Sequence, residues 1–299
     1  MKLAVNYSEA MATLVRNGEA DVDVFKCPAW PDALAKASDL RPAYAHLPLT
    51  IRADGKVTNS EAKTEVDWDA LDAVIAGSQT RHINLHPDIN APGLQHIPAD
   101  GTDTEHIEQV ADLMIDCVMV AVDRYGADKV TVENIYGLRG EGRRAMMLPE
   151  TMHRILDATG AGFLLDLSHA QLAAEQLGVD PKAYIDALPV QRLQEMHVTG
   201  IRLFDADFCA HLASLGIPDT FIDRFRGIRL DHMAFTDADW DFLAWAFQRL
   251  HNNEWQQPWV VSMEYGGVGP VWEDMAEIDL LRVQIPRLYS LVHGVPIEA

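Results

Sequence analysis

Positive charge is scarce in this chain: 24 Lys and Arg stand against 45 Asp and Glu, a formal net charge of −21 at pH 7. Proteins that grip nucleic acid rely on Lys and Arg to displace counterions from phosphates, so this balance argues against a DNA or RNA substrate. Cysteine is scarcer still. Cys27, Cys117 and Cys209 lie far apart, form no CxxC pair and match no zinc-knuckle spacing. They read as reduced thiols of a core. No run of apolar residues approaches the roughly 20 that a membrane helix needs. The opening Met-Lys-Leu-Ala-Val-Asn-Tyr-Ser turns polar too early for a signal peptide. A cytoplasmic protein with no membrane partner is therefore expected. There is no internal repeat, no Gly/Ser linker, no Ser–His–Asp signature and no cysteine-nucleophile motif.

What the sequence does have is a rhythm. Short apolar runs alternate with longer amphipathic segments, the sequence form of repeated βα units. The runs are Leu3 to Asn6, Val22 to Phe25, Ala43 to Leu49, Ile83 to His86, Val130 to Glu133, Gly162 to Leu167, Leu193 to Val198 and Trp259 to Glu264. Between them, Thr104 to Tyr125 carries Ile107, Val110, Ala111, Met114, Val118 and Val122 on one helical stripe. Trp240 to Leu250 and Leu280 to Val292 repeat that pattern. Eight strands alternating with helices predict an α/β chain folded as a single (β/α)8 TIM barrel, one domain over residues 1–299. An open doubly wound sheet is the alternative, but no glycine-rich dinucleotide loop follows the first strand.

Ionisable residues collect at the ends of these runs. His46 lies in the third and His86 ends the fourth. Glu133 ends the fifth, Asp166 lies near the end of the sixth with His169 three residues on, His197 lies near the end of the seventh, and Glu264 ends the eighth. Asp231 and His232 lie between the last two strands. A carboxylate or imidazole inside an apolar strand is costly unless it is paired or bound to a metal. In a barrel the strand ends open at one face, so these side chains can converge. Mixed His and carboxylate donors suit zinc, iron or manganese, and so many donors imply two or three ions. Taken singly, each has a plain alternative: a strand-end His is commonly a satisfied polar residue, Glu133 could cap a loop, and Asp166 could cap the helix that carries His169. Arg139, Arg143 and Arg144 form a basic patch in the loop after Glu133, at the catalytic face, suited to an acidic or carboxylate group of a substrate, with a plain solvated loop as the equal alternative; Asn134, Arg139 and Arg143 are the substrate-binding candidates. The glycines of Tyr265 to Pro270 read as the turn after the last strand.

The order His, His, Glu, Asp-x-x-His, His, Asp/His, Glu resembles the xylose isomerase-like TIM-barrel superfamily, endonuclease IV in particular. It is closer to the multinuclear non-haem iron-dependent oxidative enzymes, the methanobactin-biosynthesis oxidase group. The likeness runs from about residue 40 to residue 265. It is strongest in Val-Glu-Asn, Leu-Leu-Asp-Leu, Val-Asp-Pro-Lys-Ala-Tyr-Ile-Asp-Ala-Leu-Pro and Glu-Met-His-Val-Thr-Gly, between Thr131 and Gly200. By position, His46, His86, Glu133, Asp166, His197 and Glu264 match the family's ligands. His169 follows the endonuclease IV pattern, and the family's Asp-x-His is compressed to Asp231-His232. The resemblance implies a mixed-valence iron cluster that uses O2 to modify a peptide or amino acid, with room for a partner protein that delivers the substrate. Zinc or manganese would instead suit a phosphodiesterase or a sugar isomerase, in which Glu133 and Glu264 form the acid–base pair. A binding protein without turnover is a further alternative.

Overall fold

Apolar runs too short to make a helix become strands, and the longer amphipathic stretches behind them become helices. The computed structural model describes residues 1–47, 49–51, 57–59, 65–87, 96–138, 143–267 and 269–295. Its strands are β1 (Lys2–Asn6), β2 (Val24–Pro28), β3 (Ala43–His46), β4 (Leu49–Ile51), β5 (Val57–Asn59), β6 (Ile83–Pro87), β7 (Val130–Glu133), β8 (Gly162–Asp166), β9 (Leu193–Val198), β10 (Gly200–Leu203), β11 (Arg229–Met233) and β12 (Val260–Met263). The chain divides into two compact units, residues 1–45 with 197–299, and residues 46–196.

In the first unit the strand order is β3-β2-β1-β12. β1 is parallel to both neighbours, with Ala4 opposite Val24 and Lys2 opposite Val260. Parallel strands covered on both faces read as nearly continuous apolar runs, and Ala4, Val24, Tyr44 and Val260 pack as one buried cluster. Trp259 closes it edge-on against Tyr44, with ring centroids 5.2 Å apart. β10 and β11 form a separate antiparallel pair. The stretch around Asp231 and His232, read from sequence as a connection, is therefore itself a strand.

In the second unit the order is β9-β8-β7-β6-β4-β5, and only the β4–β5 pair among those registered is antiparallel. The expected third run is broken: β3 ends at His46, the Leu49 amide bonds Leu47 O at 2.8 Å, and β4 begins there. The helix Thr104–Tyr125 forms as its periodicity predicts. Asp103 caps it by accepting from the His106 amide at 3.0 Å, and Val110, Ala111, Met114, Cys117, Val118 and Ala121 are buried. Among the described residues no helix is long and apolar enough to cross a membrane.

His82 precedes β6 and gives the second unit an acid-sensitive point. Burial, with a contribution from Arg81, lowers its pKa from the ordinary 6.5, and Glu195 and Asp128 oppose the shift. The folded state thus favours the neutral ring, while the unfolded chain takes up a proton near 6.5. Its contribution to stability is complete above that pH and is lost as pH falls through the lowered folded value. Melting curves at pH 7, 6 and 5 should show a steeper acid decline for the native protein than for His82→Gln.

Candidate metal centre

Three donors meet in the second unit. His86 stands near the end of β6, Glu133 ends β7, and His169 sits in the first turn of the helix Leu167–Leu177. One donor atom from each lies within 4.8 Å of the others. Glu133 and His169 are buried, whereas His86 is exposed, its ring 5.9 Å from that of His169 at 88°. Tyr136 flanks His169 on another side at 5.1 Å.

Asp166 joins this group through the start of the helix. Its Oδ1 accepts from the amides of Ser168 and His169, at 2.9 and 2.8 Å, and from the Ser168 hydroxyl at 2.6 Å. That is an N-cap built from a strand-end carboxylate. Its other oxygen, Oδ2, stands 3.7 Å from His169 Nε2. Both plain alternatives raised by the sequence, cap and ligand, can therefore hold for one residue.

The tautomer of His169 follows from its neighbours. Nδ1 is 3.0 Å from Asn134 O, and a carbonyl only accepts, so Nδ1 carries the proton. Glu133 Oε1 lies 3.3 Å from the same nitrogen. Nε2 is left with the lone pair, the arrangement a metal-binding histidine needs. Asn134 reinforces this. Its amide clasps the Asp166 backbone, donating to Asp166 O at 2.9 Å and accepting from the Asp166 amide at 2.8 Å. Asn134, a substrate-binding candidate from the sequence, locks β7 to the end of β8. Arg143 donates from Nε to Ile97 O at 3.1 Å. Arg139 lies outside the described residues.

His46 belongs to a neighbouring network in the same unit. Thr131 Oγ1 donates to Asn84 Oδ1 at 2.6 Å. The Asn84 amide nitrogen then faces His46 Nδ1 at 2.9 Å and Glu195 Oε2 at 3.5 Å. The Asn84 Nδ2 thus donates toward both Glu195 Oε2 and His46 Nδ1, and one amide fixes the orientation of the His46 ring. Asn84→Ala should weaken metal retention roughly 10- to 100-fold, the usual effect of losing such a partner, and chelator competition measures it.

The first unit gathers a second set. His197 and Glu264 are buried, and so is Lys26 of β2. Lys26 forms an ion pair with Glu264, and its Nζ stands 3.3 Å from His197 Nε2. His197 Nδ1 is 3.4 Å from Glu264 Oε1. Tyr265, the next residue, anchors the chain beyond β12: its hydroxyl donates to Met275 O at 2.8 Å and accepts from the Glu277 amide at 3.0 Å. Burial pushes the Tyr265 phenol up to about 12, so it remains a donor at neutral pH. Burial also pushes the Cys27 thiol up to about 12, and all three cysteines are free and buried. A protonated Cys27 is neither nucleophile nor ready ligand.

Asp231 and His232 are adjacent residues of one strand, and adjacent side chains ordinarily point to opposite faces. Here Asp231 Oδ2 and His232 Nε2 lie 3.7 Å apart. Two backbone features explain it. Gly200 pairs with Met233 and Arg202 with Leu230, so β11 carries one extra residue and bulges. His232 takes the left-handed conformation, φ 64°, which a side chain rarely adopts. The bulge turns consecutive residues to one side and restores what the spacing Asp-x-His achieves in a regular strand. His232 is steadied by Glu264 O at 3.2 Å from Nδ1 and by the Trp272 ring at 5.5 Å.

Sequence reasoning missed Lys26, Asn84 and Glu195. Each had a signal. Glu195 stands two residues before His197 in β9 and so shares its strand face, and it is buried. Lys26 and Asn84 interrupt apolar strands, where a polar residue requires a partner.

The donors in the second unit fit a divalent first-row metal: two imidazoles and a carboxylate converge, and a second carboxylate faces one of the rings. The family described as RiPP precursor modification enzyme MbnB/TglH/ChrH matches residues 68–224. No curated protein matches in sequence. A xylose isomerase domain containing protein from Salmonella typhimurium LT2 is similar in structure, with TM-score 0.54 and 13% identity over 98% of this chain and 97% of that one. A xylose isomerase domain protein from Alicyclobacillus acidocaldarius gives 0.50 and 14%, over 98% and 99%. At these identities the likeness shows the fold, which is the xylose isomerase-like TIM barrel.

Proposed function

The chain belongs to the RiPP precursor modification enzyme family MbnB/TglH/ChrH, and from there we propose that it is an iron-dependent oxidase acting on a ribosomally made peptide. The observation that carries the reading is the convergence of His86, Glu133 and His169, with Asp166 facing His169. The proposed metal ligands are these four residues and His46 in the second unit and, considered by themselves, His197, Asp231, His232 and Glu264 in the first. Iron held by these residues would supply one-electron chemistry with O2 and a Lewis acid for a sulfur or carboxylate of the peptide. The chain's own residues do the remaining work. Asn134 and the helix cap hold Asp166 and His169 in place before any ligand arrives. Glu133 and Glu264, buried carboxylates at strand ends, hold and move protons of the bound peptide. Arg143 offers its guanidinium to a peptide carboxylate.

The test is purification without oxygen, followed by metal analysis, Mössbauer spectroscopy and exposure of the loaded protein to O2 with a cysteine-bearing precursor peptide. Two or three irons per chain and a changed peptide mass are expected. A colourless protein that retains only zinc and leaves the peptide unaltered would sink the reading.

A further inference from the structure

We propose that Gln176 is a positioning residue for the donors of the second unit: it holds the segment after β7 so that Tyr136 stands against the His169 ring. The inference rests on the metal-dependent reading above and adds a residue that acts on a proposed ligand through another side chain.

The case begins on the helix Leu167–Leu177. His169 and Gln176 are seven positions apart, about two turns, so both side chains project from one stripe of that helix. The segment that follows Glu133 meets the stripe twice. At one end, Asn134 O accepts from His169 Nδ1 at 3.0 Å. At the other, the Gly137 amide donates to Gln176 Oε1 at 3.1 Å, and Gln176 Nε2 donates to Gly137 O at 2.5 Å. The double bond pattern fixes which way the side-chain amide points, since turning it over would set one N–H against another.

Gly137 is buried, and a buried N–H and C=O must be paired. Gln176 satisfies both groups with one side chain. Without it the backbone at Gly137 must shift toward water, and Tyr136, the preceding residue, shifts with it. The Tyr136 ring lies 5.1 Å from that of His169 at 50°, and the His86 ring stands 5.9 Å from the same imidazole at 88°. His169 is thus flanked by two rings, one on a proposed ligand and the other held in place from Gln176. Tyr136 opposes the rotation that would carry His169 Nε2 away from Asp166 Oδ2, 3.7 Å from it.

The experiment uses Co(II), a divalent ion whose visible absorption reports the geometry of its ligands. It is titrated into metal-free native protein, Gln176→Met, Tyr136→Ala and the double variant. Each single variant should bind Co(II) roughly 10-fold more weakly, and both should shift its spectrum alike. The double variant should be no weaker than Tyr136→Ala, because Gln176 acts through that ring. A residue that served stability alone would lower Tm and leave Co(II) affinity and spectrum unmoved, and that result overturns the inference. Losses that add in the double variant overturn it as well. Equal binding by the native protein and Gln176→Met defeats the inference and leaves the metal reading intact, whereas a native protein that binds no Co(II) defeats both. Amide exchange of the native metal-free protein is a check independent of how the variants fold. The Gly137 amide should exchange slowly, and exchange at the rate of an open loop overturns the inference.

Discussion

His169→Ala is expected to strip metal from the second unit and to lower the proposed peptide modification by more than about a hundredfold. Loss of an outer partner of a metal ligand already costs about 10- to 100-fold, and His169 is expected to be a ligand itself. Its Nδ1–H is fixed by Asn134 O at 3.0 Å, so Nε2 is presented in the form that binds metal. Its donor also lies within 4.8 Å of those of His86 and Glu133, so its removal opens the group from the middle. Metal analysis after desalting reads the loss, and turnover on the precursor peptide reads the consequence. Circular dichroism should be unchanged, because the helix cap uses the amide of residue 169 and not its ring. His153→Ala is the control. That ring bonds Ala187 O on the surface, and its removal should leave metal content as it was. If His169→Ala retains its full complement of metal, His169 is not a ligand.

Gly200→Ala is expected to be the most damaging single added methyl group among the described glycines. A Cβ at Gly200 would fall within the contact radius of Ala234 O and of its carbonyl carbon, both backbone atoms that cannot swing aside. The strand would have to separate from β11, and with it would go the bulge that brings Asp231 and His232 together. A cost on the order of 4 kcal/mol, a fall in Tm of roughly 10 °C, is expected. Gly178 calibrates the effect. It has φ +72° but nothing within 4 Å of an added Cβ, so Gly178→Ala carries backbone strain alone, about 1 kcal/mol. Thermal melts of the two variants side by side check the ranking. A Gly200→Ala protein as stable as Gly178→Ala would mean that β10 and β11 can part without loss.

Much of this molecule is legible in its residues. Parallel strands with both faces covered announce themselves as apolar runs, so β1, β6, β7, β8, β9 and β12 lie within a residue or so of where the pattern puts them. The helix Thr104–Tyr125 matches its stripe, since a 3.6-residue period over so long a stretch has few competitors. The strand-end donors were legible for the same reason: charge inside an apolar run is conspicuous. The antiparallel pair β10–β11 was not, because its residues alternate weakly and its strands are partly exposed. The bulge at His232 was beyond reach, since it depends on backbone geometry that no side-chain pattern encodes. Lys26 was obscured by the strand boundary. The apolar run ends at Phe25, whereas β2 continues through Pro28 and draws the lysine inside.

The cap at Asp166, a proposed ligand, bears on how readily the proposed centre would take up metal. A carboxylate on a free chain samples several rotamers, and any ion that captures it must freeze them. Here Ser168 and His169 hold Oδ1 through three bonds as part of the folded helix. The conformational entropy of that side chain is surrendered when the chain folds, long before an ion arrives. Capture can then be fast and tight from a single encounter, and the helix Leu167–Leu177 keeps its N-terminus intact whether the centre is loaded or bare.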